Sequence, residues 1–204
     1  MRNPIKASIL LLWVIAAGSS MSLVGSAQTK SSAIAGPAPE IGLTYSYAHS
    51  NAPPSGCGCF SLNGGSASVA IPLRHSNWEF AGDITVANGS SISAANNDLT
   101  LSVFTGGLRF RPNLRLGALQ PFGQVLVGGA YASGTLIQTE KSAGTGSNSA
   151  FAANAGGGID LRLNHRFSLR AIEADYLPTT FNNGTNNHQN NVRISAGMIV
   201  HLGK

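Results

Sequence analysis

The chain has few of the features that a soluble protein or a helical membrane protein requires. Charged residues make up 10% of its 204 residues, whereas about 25% is typical of soluble domains. After the N-terminal segment, no stretch has the roughly 20 apolar residues that a membrane-crossing helix needs. If this chain is a membrane protein, we therefore expect it to cross with strands, because strand backbone groups can satisfy one another by pairing.

Cysteine is also scarce: the chain has two, Cys57 and Cys59, too few for a disulfide framework. They lie in a segment rich in Gly, Pro and Ser. In an exported chain, two nearby cysteines are normally oxidised. A tight disulfide between them is favoured, and free or intermolecular thiols stay open. A metal site is disfavoured, because two thiolates and His49 fall short of the four ligands of structural zinc.

The N-terminus has the pattern of an export signal. Arg2 and Lys6 precede the apolar run 7–18, which is too short to cross a bilayer as a helix. The small residues Gly25 and Ala27 predict cleavage before Gln28. We therefore predict a signal peptide over residues 1–27 and a flexible periplasmic leader over residues 28–39.

Eight segments of roughly ten residues follow, in which apolar residues alternate with small or polar ones. In the first, Ile41, Leu43 and Tyr45 alternate with Gly42 and Thr44, which is the period-two pattern of a strand with one apolar face. The segments are 40–49, 65–74, 78–87, 98–111, 121–132, 150–163, 167–176 and 191–202.

The gaps between these segments alternate between long and short. Four long gaps, 50–64, 88–97, 133–149 and 177–190, are rich in Gly, Ser and Asn. Transmembrane barrels typically have an even number of strands, with long loops on one side and short turns on the other. The sequence thus predicts one domain over residues 40–204, an all-β, eight-stranded antiparallel up-and-down transmembrane β-barrel.

Aromatic residues support this fold class, because most of them lie near segment ends, where girdles meet the bilayer interfaces. They are Tyr45, Tyr47, Trp78, Phe80, Phe110, Phe122, Tyr131, Phe151, Phe167 and Tyr176. A soluble exported β-sandwich with a binding role stays an alternative, since alternation alone supports either architecture.

Two segments break the alternation. In the fourth, Leu99 and Val103 lie in one phase and Phe104 and Leu108 in the other, which predicts a bulge near residues 106–107. In the seventh, Arg170, Glu173 and Asp175 can all face inward only if a bulge lies around residues 171–172.

Charged residues on the inward phase predict an ion-pair network inside the barrel. An eight-stranded barrel is just wide enough for side chains to fill it, and buried charge persists mainly when it is paired. A proton or ion path through the interior is the alternative. The predicted members are Glu79, Asp83, Asp160, Arg162, Arg170, Glu173, Asp175 and Arg193.

Three glycine-and-aromatic strand patterns, over residues 121–131, 169–176 and 192–198, resemble those of the small outer-membrane β-barrels of Gram-negative bacteria, of OmpA and OmpX type. The resemblance covers residues 40–204. It implies a place in the bacterial outer membrane and contacts with its lipids. It also implies insertion by the barrel-assembly machinery, and a structural or surface-interaction role in which the long loops meet an unknown extracellular ligand.

An enzyme is disfavoured. Outer-membrane lipid-modifying enzymes that resemble such barrels use a Ser two residues after a His, whereas this chain has the adjacent pairs His49-Ser50 and His75-Ser76. Adjacent strand residues face opposite sides of the sheet, so we predict no catalytic residues. No cofactor or metal is expected, and no nucleic-acid partner, because the arginines are dispersed through the chain.

Overall fold

The computed structural model describes residues 38–50, 60–90, 92, 98–114, 116–134, 146–181 and 188–203. The predicted signal peptide, all but the last two residues of the predicted leader, and both cysteines lie outside this part. Within it, no helix is long and apolar enough to cross a membrane. The strands are β1 (Glu40–Ser50), β2 (Phe60–Pro72), β3 (Trp78–Gly89), β4 (Leu99–Phe110), β5 (Leu119–Gly134), β6 (Gly146–Arg162), β7 (Phe167–Thr179) and β8 (Gln189–His201).

The eight strands form one closed sheet in chain order. Each strand pairs antiparallel with the next. β8 closes the sheet by pairing with the whole length of β1, from Glu40 opposite His201 to Ser50 opposite Asn191. This confirms the predicted fold class. Closure leaves no unpaired edge. We call the end that carries the segments 73–77, 111–118 and 163–166 the short-turn rim and the opposite end the loop rim.

The outer wall of the barrel is apolar, and polar side chains face inward at its middle. Along β1 and β5, Leu43 is 65% exposed and Val125 is 62% exposed, whereas the inward Ser46 and Gln124 are buried. The aromatic residues predicted for the girdles are exposed on the outer wall with one exception. Phe122 is 5% exposed and faces the interior, because it shares the inward phase of Gln124; its predicted place in a girdle is wrong.

The interior is divided along the barrel axis. Its loop-rim half is an apolar plug, in which buried side chains from several strands pack together: Ala48, Phe60, Leu62, Ala87, Leu99, Leu101, Val103, Ala130, Ala132, Ala152, Leu177 and Phe181. This plug explains why β4 breaks the alternation. Its first residues are apolar because they fill the plug, and β4 pairs with both neighbours without a register shift. The bulge predicted near residues 106–107 is therefore wrong.

The bulge in β7 is confirmed. The β7–β8 register shifts between Arg170 and Glu173, Ala171 and Ile172 both face outward, and the charged residues on either side face inward. The facing part of β6 is the glycine run 156–158. A Cβ at Gly158 would lie 2.4 Å from the Ile172 carbonyl oxygen and 2.9 Å from the ring of Phe122. This run lets β6 approach the bulge and leaves room inside for that ring.

Candidate functional site: the interior charge network

Arg193 is the hub of the ion pairs near the middle of the barrel. Its guanidinium lies 2.6 Å from Asp83 Oδ1, 2.6 Å from Asp175 Oδ2 and 3.1 Å from Glu173 Oε1, and it also donates to the Thr85 hydroxyl. Glu173 and Asp175 lie on the adjacent strand β7, whereas Asp83 lies on β3, so the Arg193–Asp83 pair connects strands that are not neighbours. Arg193 is 1% exposed, and a buried guanidinium requires this number of acceptors.

Arg111 is the hub nearer the short-turn rim. It lies in the turn after β4, and its nitrogens lie 2.9 Å from Glu40 Oε2, 3.0 Å from Glu79 Oε1 and 3.2 Å from Asp160 Oδ2. Burial disfavours its charge, but these three carboxylates outweigh burial and hold the pKa of Arg111 above its ordinary value. Arg111 thus joins β1, β3 and β6 across the lumen.

Arg170 connects the two hubs. Its guanidinium lies 2.9 Å from Asp160 Oδ1, an Arg111 partner, and 2.6 Å from Glu173 Oε2, an Arg193 partner. The β7 bulge is what places Arg170 and Glu173 on the same side of their strand. One continuous ion-pair network therefore extends from the short-turn rim to the middle of the barrel.

Among the described residues, a fourth interior arginine, Arg109, has no direct ion pair with a carboxylate. Its Nε and Nη2 donate to Gln124 Oε1 at 3.1 and 2.9 Å. Gln124 Nε2 donates in turn to Glu173 Oε1 at 2.8 Å and to Asp175 Oδ1 at 3.2 Å. Gln124 thus joins the guanidinium to the carboxylates through its two ends, because an amide side chain has an acceptor oxygen and a donor nitrogen.

Phe122 provides a face for three of these arginines. The guanidinium carbon lies 4.4 Å from the ring centroid for Arg170, 4.6 Å for Arg109 and 5.7 Å for Arg111. Cations within about 6 Å of an aromatic face are attracted by its quadrupole, most strongly when water is excluded. The aromatic ring therefore offsets part of the electrostatic repulsion between these neighbouring guanidinium groups.

The structure places seven of the eight predicted network residues in the buried interior; Arg162 does not join them. Arg162 lies on the inward phase of Asp160 but is the last residue of β6, where the barrel opens, and its side chain is exposed. Sequence reasoning also missed Glu40, Arg109, Arg111 and Gln124. The sequence did indicate an inward Arg109, because Arg109 lies between Leu108 and Phe110, which both face outward.

The network contains more acid than base. Glu40, Glu79, Asp83, Asp160, Glu173 and Asp175 face Arg109, Arg111, Arg170 and Arg193 in the described interior. His201 adds a contact at the short-turn rim, with Nδ1 3.3 Å from Glu40 Oε1 and Nε2 2.7 Å from Ser168 Oγ. Over the same described residues, no three His, Cys, Asp or Glu side chains are arranged to hold a metal ion. The arrangement is that of a filled, cross-linked interior.

A second polar group lies on the outer wall near the loop rim, which we call the outer polar strip: His49, Ser61, Tyr45, Tyr47 and Asn63. His49 Nδ1 lies 3.3 Å from Ser61 Oγ, which the Tyr47 hydroxyl contacts at 2.6 Å, and Tyr45 donates to Asn63 at 2.7 Å. His49 and Ser61 are cross-strand partners, so reasoning from sequence neighbours could not pair them.

Among the described residues, the outer polar strip is not joined by the other parts of a hydrolase. A serine nucleophile needs donors for the oxyanion as well as a base that a third group orients, and here the surrounding backbone N–H groups belong to a regular strand ladder. The sequence-adjacent pair His75-Ser76 lies in the turn between β2 and β3. Ser76 contacts the backbone of Leu73 and Trp78, and His75 has a positive φ of +59°. Ser76 therefore stabilises a turn.

The comparisons with known proteins agree on architecture. No protein-family model matches the chain, and no curated protein matches it. Among solved structures, Neisserial surface protein A matches with 14% identity and a TM-score of 0.61, over 80% of this chain and 97% of that one. This chain has the fold of the small outer-membrane barrels. Ail, the attachment invasion locus protein of Yersinia pestis, matches with 16% identity and a TM-score of 0.50, over 79% of this chain and 99% of Ail.

Both solved barrels are matched over nearly their whole length, so the likeness extends to the complete cylinder. A second structure of Ail, in complex with the heparin analogue sucrose octasulfate, matches with the same TM-score, identity and coverage.

Proposed function

We propose that this chain is a bacterial outer-membrane barrel that crosses the bilayer with its outer wall in lipid, and that it has a structural or surface-interaction role. The observation that carries the proposal is the inversion of the ordinary soluble pattern. Large apolar side chains on all eight strands are exposed, Leu43, Ile84, Phe104, Val125, Phe151 and Ile194 among them, whereas the buried interior contains the ion pairs.

A soluble β-sandwich is disfavoured by the same observation. A soluble monomer rarely exposes a contiguous apolar patch larger than a few hundred Å², and here the apolar surface surrounds a closed cylinder. A sandwich would need a second sheet to cover it, and in the described part of the chain all strands belong to one sheet. The strands, 11 to 17 residues long, meet the 9–11 residues that a tilted crossing requires.

A pore or an enzyme is also disfavoured. The apolar plug and the ion-pair network fill the two halves of the lumen. The outer polar strip has a serine and a histidine in contact, but the described residues around it do not supply the remaining groups of a hydrolase. With the lumen filled and the wall in lipid, the loops are the part of the molecule that is left to recognise a partner.

The loop segments point to an uncharged type of contact. In the four long gaps of the sequence, the charged residues are Glu140 and Lys141, adjacent and opposite in sign, among many Asn, Ser, Thr and Gly. A sulfated polyanion such as the heparin analogue bound to Ail needs clustered arginine or lysine. We therefore infer that the loop ligand is a neutral, hydrogen-bonding one, and we expect intact cells displaying this chain to show no salt-sensitive binding of heparin.

Membrane fractionation and heat-modifiable gel migration test the membrane assignment. We expect the chain to fractionate with outer membranes, and we expect the unheated protein to migrate differently from the boiled protein, because the closed barrel resists detergent until it is heated. A monodisperse monomer in detergent-free buffer would contradict the assignment.

Loop shortening tests where the interaction lies. Residues 135–145 and 182–187 are replaced by two-residue Asn-Gly turns, which leaves the buried Phe181 in place. We expect heat-modifiable migration to be retained and adhesion of the cells to a neutral polysaccharide surface to be lost. Adhesion that survives both replacements but disappears in an Arg193→Met variant that keeps its heat-modifiable migration would place the activity inside the barrel instead.

A further inference from the structure

The exposed arginines of the described chain all lie at the short-turn rim. Arg74 lies in the β2–β3 turn, Arg162 ends β6, and Arg166 lies in the β6–β7 turn; all three side chains are exposed. His75 and His165 lie beside them and are exposed too. The described acidic residues are buried in the interior, apart from Asp98 at the loop rim. This rim thus displays positive charge with no exposed acid among its described residues.

Exposed leucines accompany these arginines. Leu73 precedes Arg74 and is 43% exposed, and Leu163 follows Arg162 and is 56% exposed. The β4–β5 turn adds Leu114 and Leu116, at 54% and 52%. An acidic soluble partner would need only the arginines. Apolar side chains interleaved with guanidinium groups fit a boundary at which acyl chains meet headgroups, because long cationic side chains extend their charge into the polar layer.

Aromatic side chains mark the same level on the outer wall. Trp78 and Phe110 are ring neighbours, with centroids 5.0 Å apart, and both are exposed immediately beside the turns. Tryptophan and tyrosine concentrate at membrane interfaces. The arginines of the rim therefore lie just beyond an aromatic level of the outer wall, which in the proposed membrane insertion corresponds to the depth of lipid phosphates.

The loop rim has different chemistry. In its described part, the exposed charged residue is Asp98, and uncharged hydroxyl, amide and imidazole groups form outward contacts such as those of the outer polar strip and the Tyr176–Asn190 contact of 2.5 Å. The two rims would therefore meet the two leaflets with different charge.

We propose that the short-turn rim is a binding surface for anionic phospholipid headgroups, which it selects from the adjacent leaflet through Arg74, Arg162 and Arg166. This inference rests on the proposed membrane insertion. Guanidinium groups bind phosphate oxygens in a bidentate manner, and the leucines and the Trp78–Phe110 pair hold the rim at the depth where those phosphates lie. A lipid that carries net negative charge is favoured over a zwitterionic one because only the former leaves the arginine charge compensated.

Spin-labelled lipids provide the test. The full chain is reconstituted into phosphatidylcholine vesicles that contain trace spin-labelled phosphatidylglycerol or phosphatidylcholine, and the immobilised fraction of each label is measured. We expect about a fivefold preference for phosphatidylglycerol, corresponding to one surface arginine per bound lipid. The preference should persist with inorganic phosphate in the buffer and fall at about 1 M salt, where the screening length is short.

The variants separate this inference from the proposed function. The triple variant Arg74→Gln, Arg162→Gln, Arg166→Gln should insert normally and lose the preference, whereas Arg→Lys at the same positions should retain most of it. Equal immobilisation of both labels by the unmodified protein, a preference that survives the glutamine substitutions, or its removal by inorganic phosphate would overturn the inference. Failure of the unmodified chain to show heat-modifiable migration in either lipid would instead overturn the membrane assignment.

Discussion

At the scale of single residues, burial separates two arginines that lie on the same inward phase of neighbouring strands. Arg170 is 1% exposed and contacts Asp160 and Glu173, whereas Arg162 is exposed where the barrel opens. Removing one partner of a buried ion pair leaves the other charge uncompensated, and this costs about 3–5 kcal/mol. An exposed charge contributes within about 0.5 kcal/mol.

We therefore expect Arg170→Gln to lower the free energy of unfolding by about 3–5 kcal/mol and Arg162→Gln to change it by less than about 0.5 kcal/mol. Urea titration of the protein in phosphatidylcholine vesicles, followed by heat-modifiable migration, measures both. Equal effects of the two substitutions would show that the interior network does not stabilise the barrel.

Phe122 supplies a second prediction at this scale. Phe122→Leu preserves an apolar side chain but removes the ring face that Arg109, Arg170 and Arg111 share. We expect a loss of about 2–4 kcal/mol in unfolding free energy. Phe104→Leu is the matched control, because Phe104 is 51% exposed on the outer wall and contributes no such face. If the two substitutions proved equivalent, the arginines would depend on their carboxylates alone.

At the scale of elements, the phase of each strand decides which substitutions a bilayer tolerates. On β6, Ala155 faces outward and Asn154 is 1% exposed inside. An arginine on the lipid face at mid-bilayer costs about 2–4 kcal/mol. We expect Ala155→Arg to impair vesicle insertion by that amount and Asn154→Ser to be mild. Normal insertion of the arginine variant together with failure of the serine variant would show that the inward and outward faces of β6 are assigned the wrong way round.

The bulge in β7 is the element on which the network depends. Deleting Ala171 removes the extra residue, and a one-residue change in register transfers side chains to the opposite face. Either Arg170 or both Glu173 and Asp175 would then face lipid, so we expect the deletion variant to lose heat-modifiable migration. Deleting Asn183, in the segment between β7 and β8, is the control that should fold. A folded Ala171 deletion would contradict the inward placement of all three charges.

At the scale of the whole molecule, described side chains occupy the lumen at both levels, apolar ones near the loop rim and ion-paired ones below them. An eight-stranded barrel has room for side chains and little else. We expect the chain to produce no discrete conductance steps in planar bilayers. Reproducible steps in the unmodified protein would show that water passes through the ion-pair network, as in the ion-path alternative.

Much of the architecture could be predicted from the sequence because it rests on local signals. Alternation with a period of two is a property of neighbouring residues, and the number and spacing of the segments follow from it. The alternating gap lengths indicated which rim holds the loops. The need for a β7 bulge was also visible, since Arg170, Glu173 and Asp175 have incompatible spacing on a regular strand.

What the sequence determined by itself is the number of strands, their apolar and polar faces and the side that holds the long loops, because side-chain alternation and gap length are encoded in consecutive residues. The tertiary structure alone decided which inward residues meet. Arg111 lies outside any strand, Phe122 and Leu99 are apolar residues that face inward, and His49 contacts a serine on the neighbouring strand. Arg111 and Phe122 meet partners from strands distant in the chain because closure of the sheet brings those strands together around one lumen, and the contact of His49 depends on the register between β1 and β2.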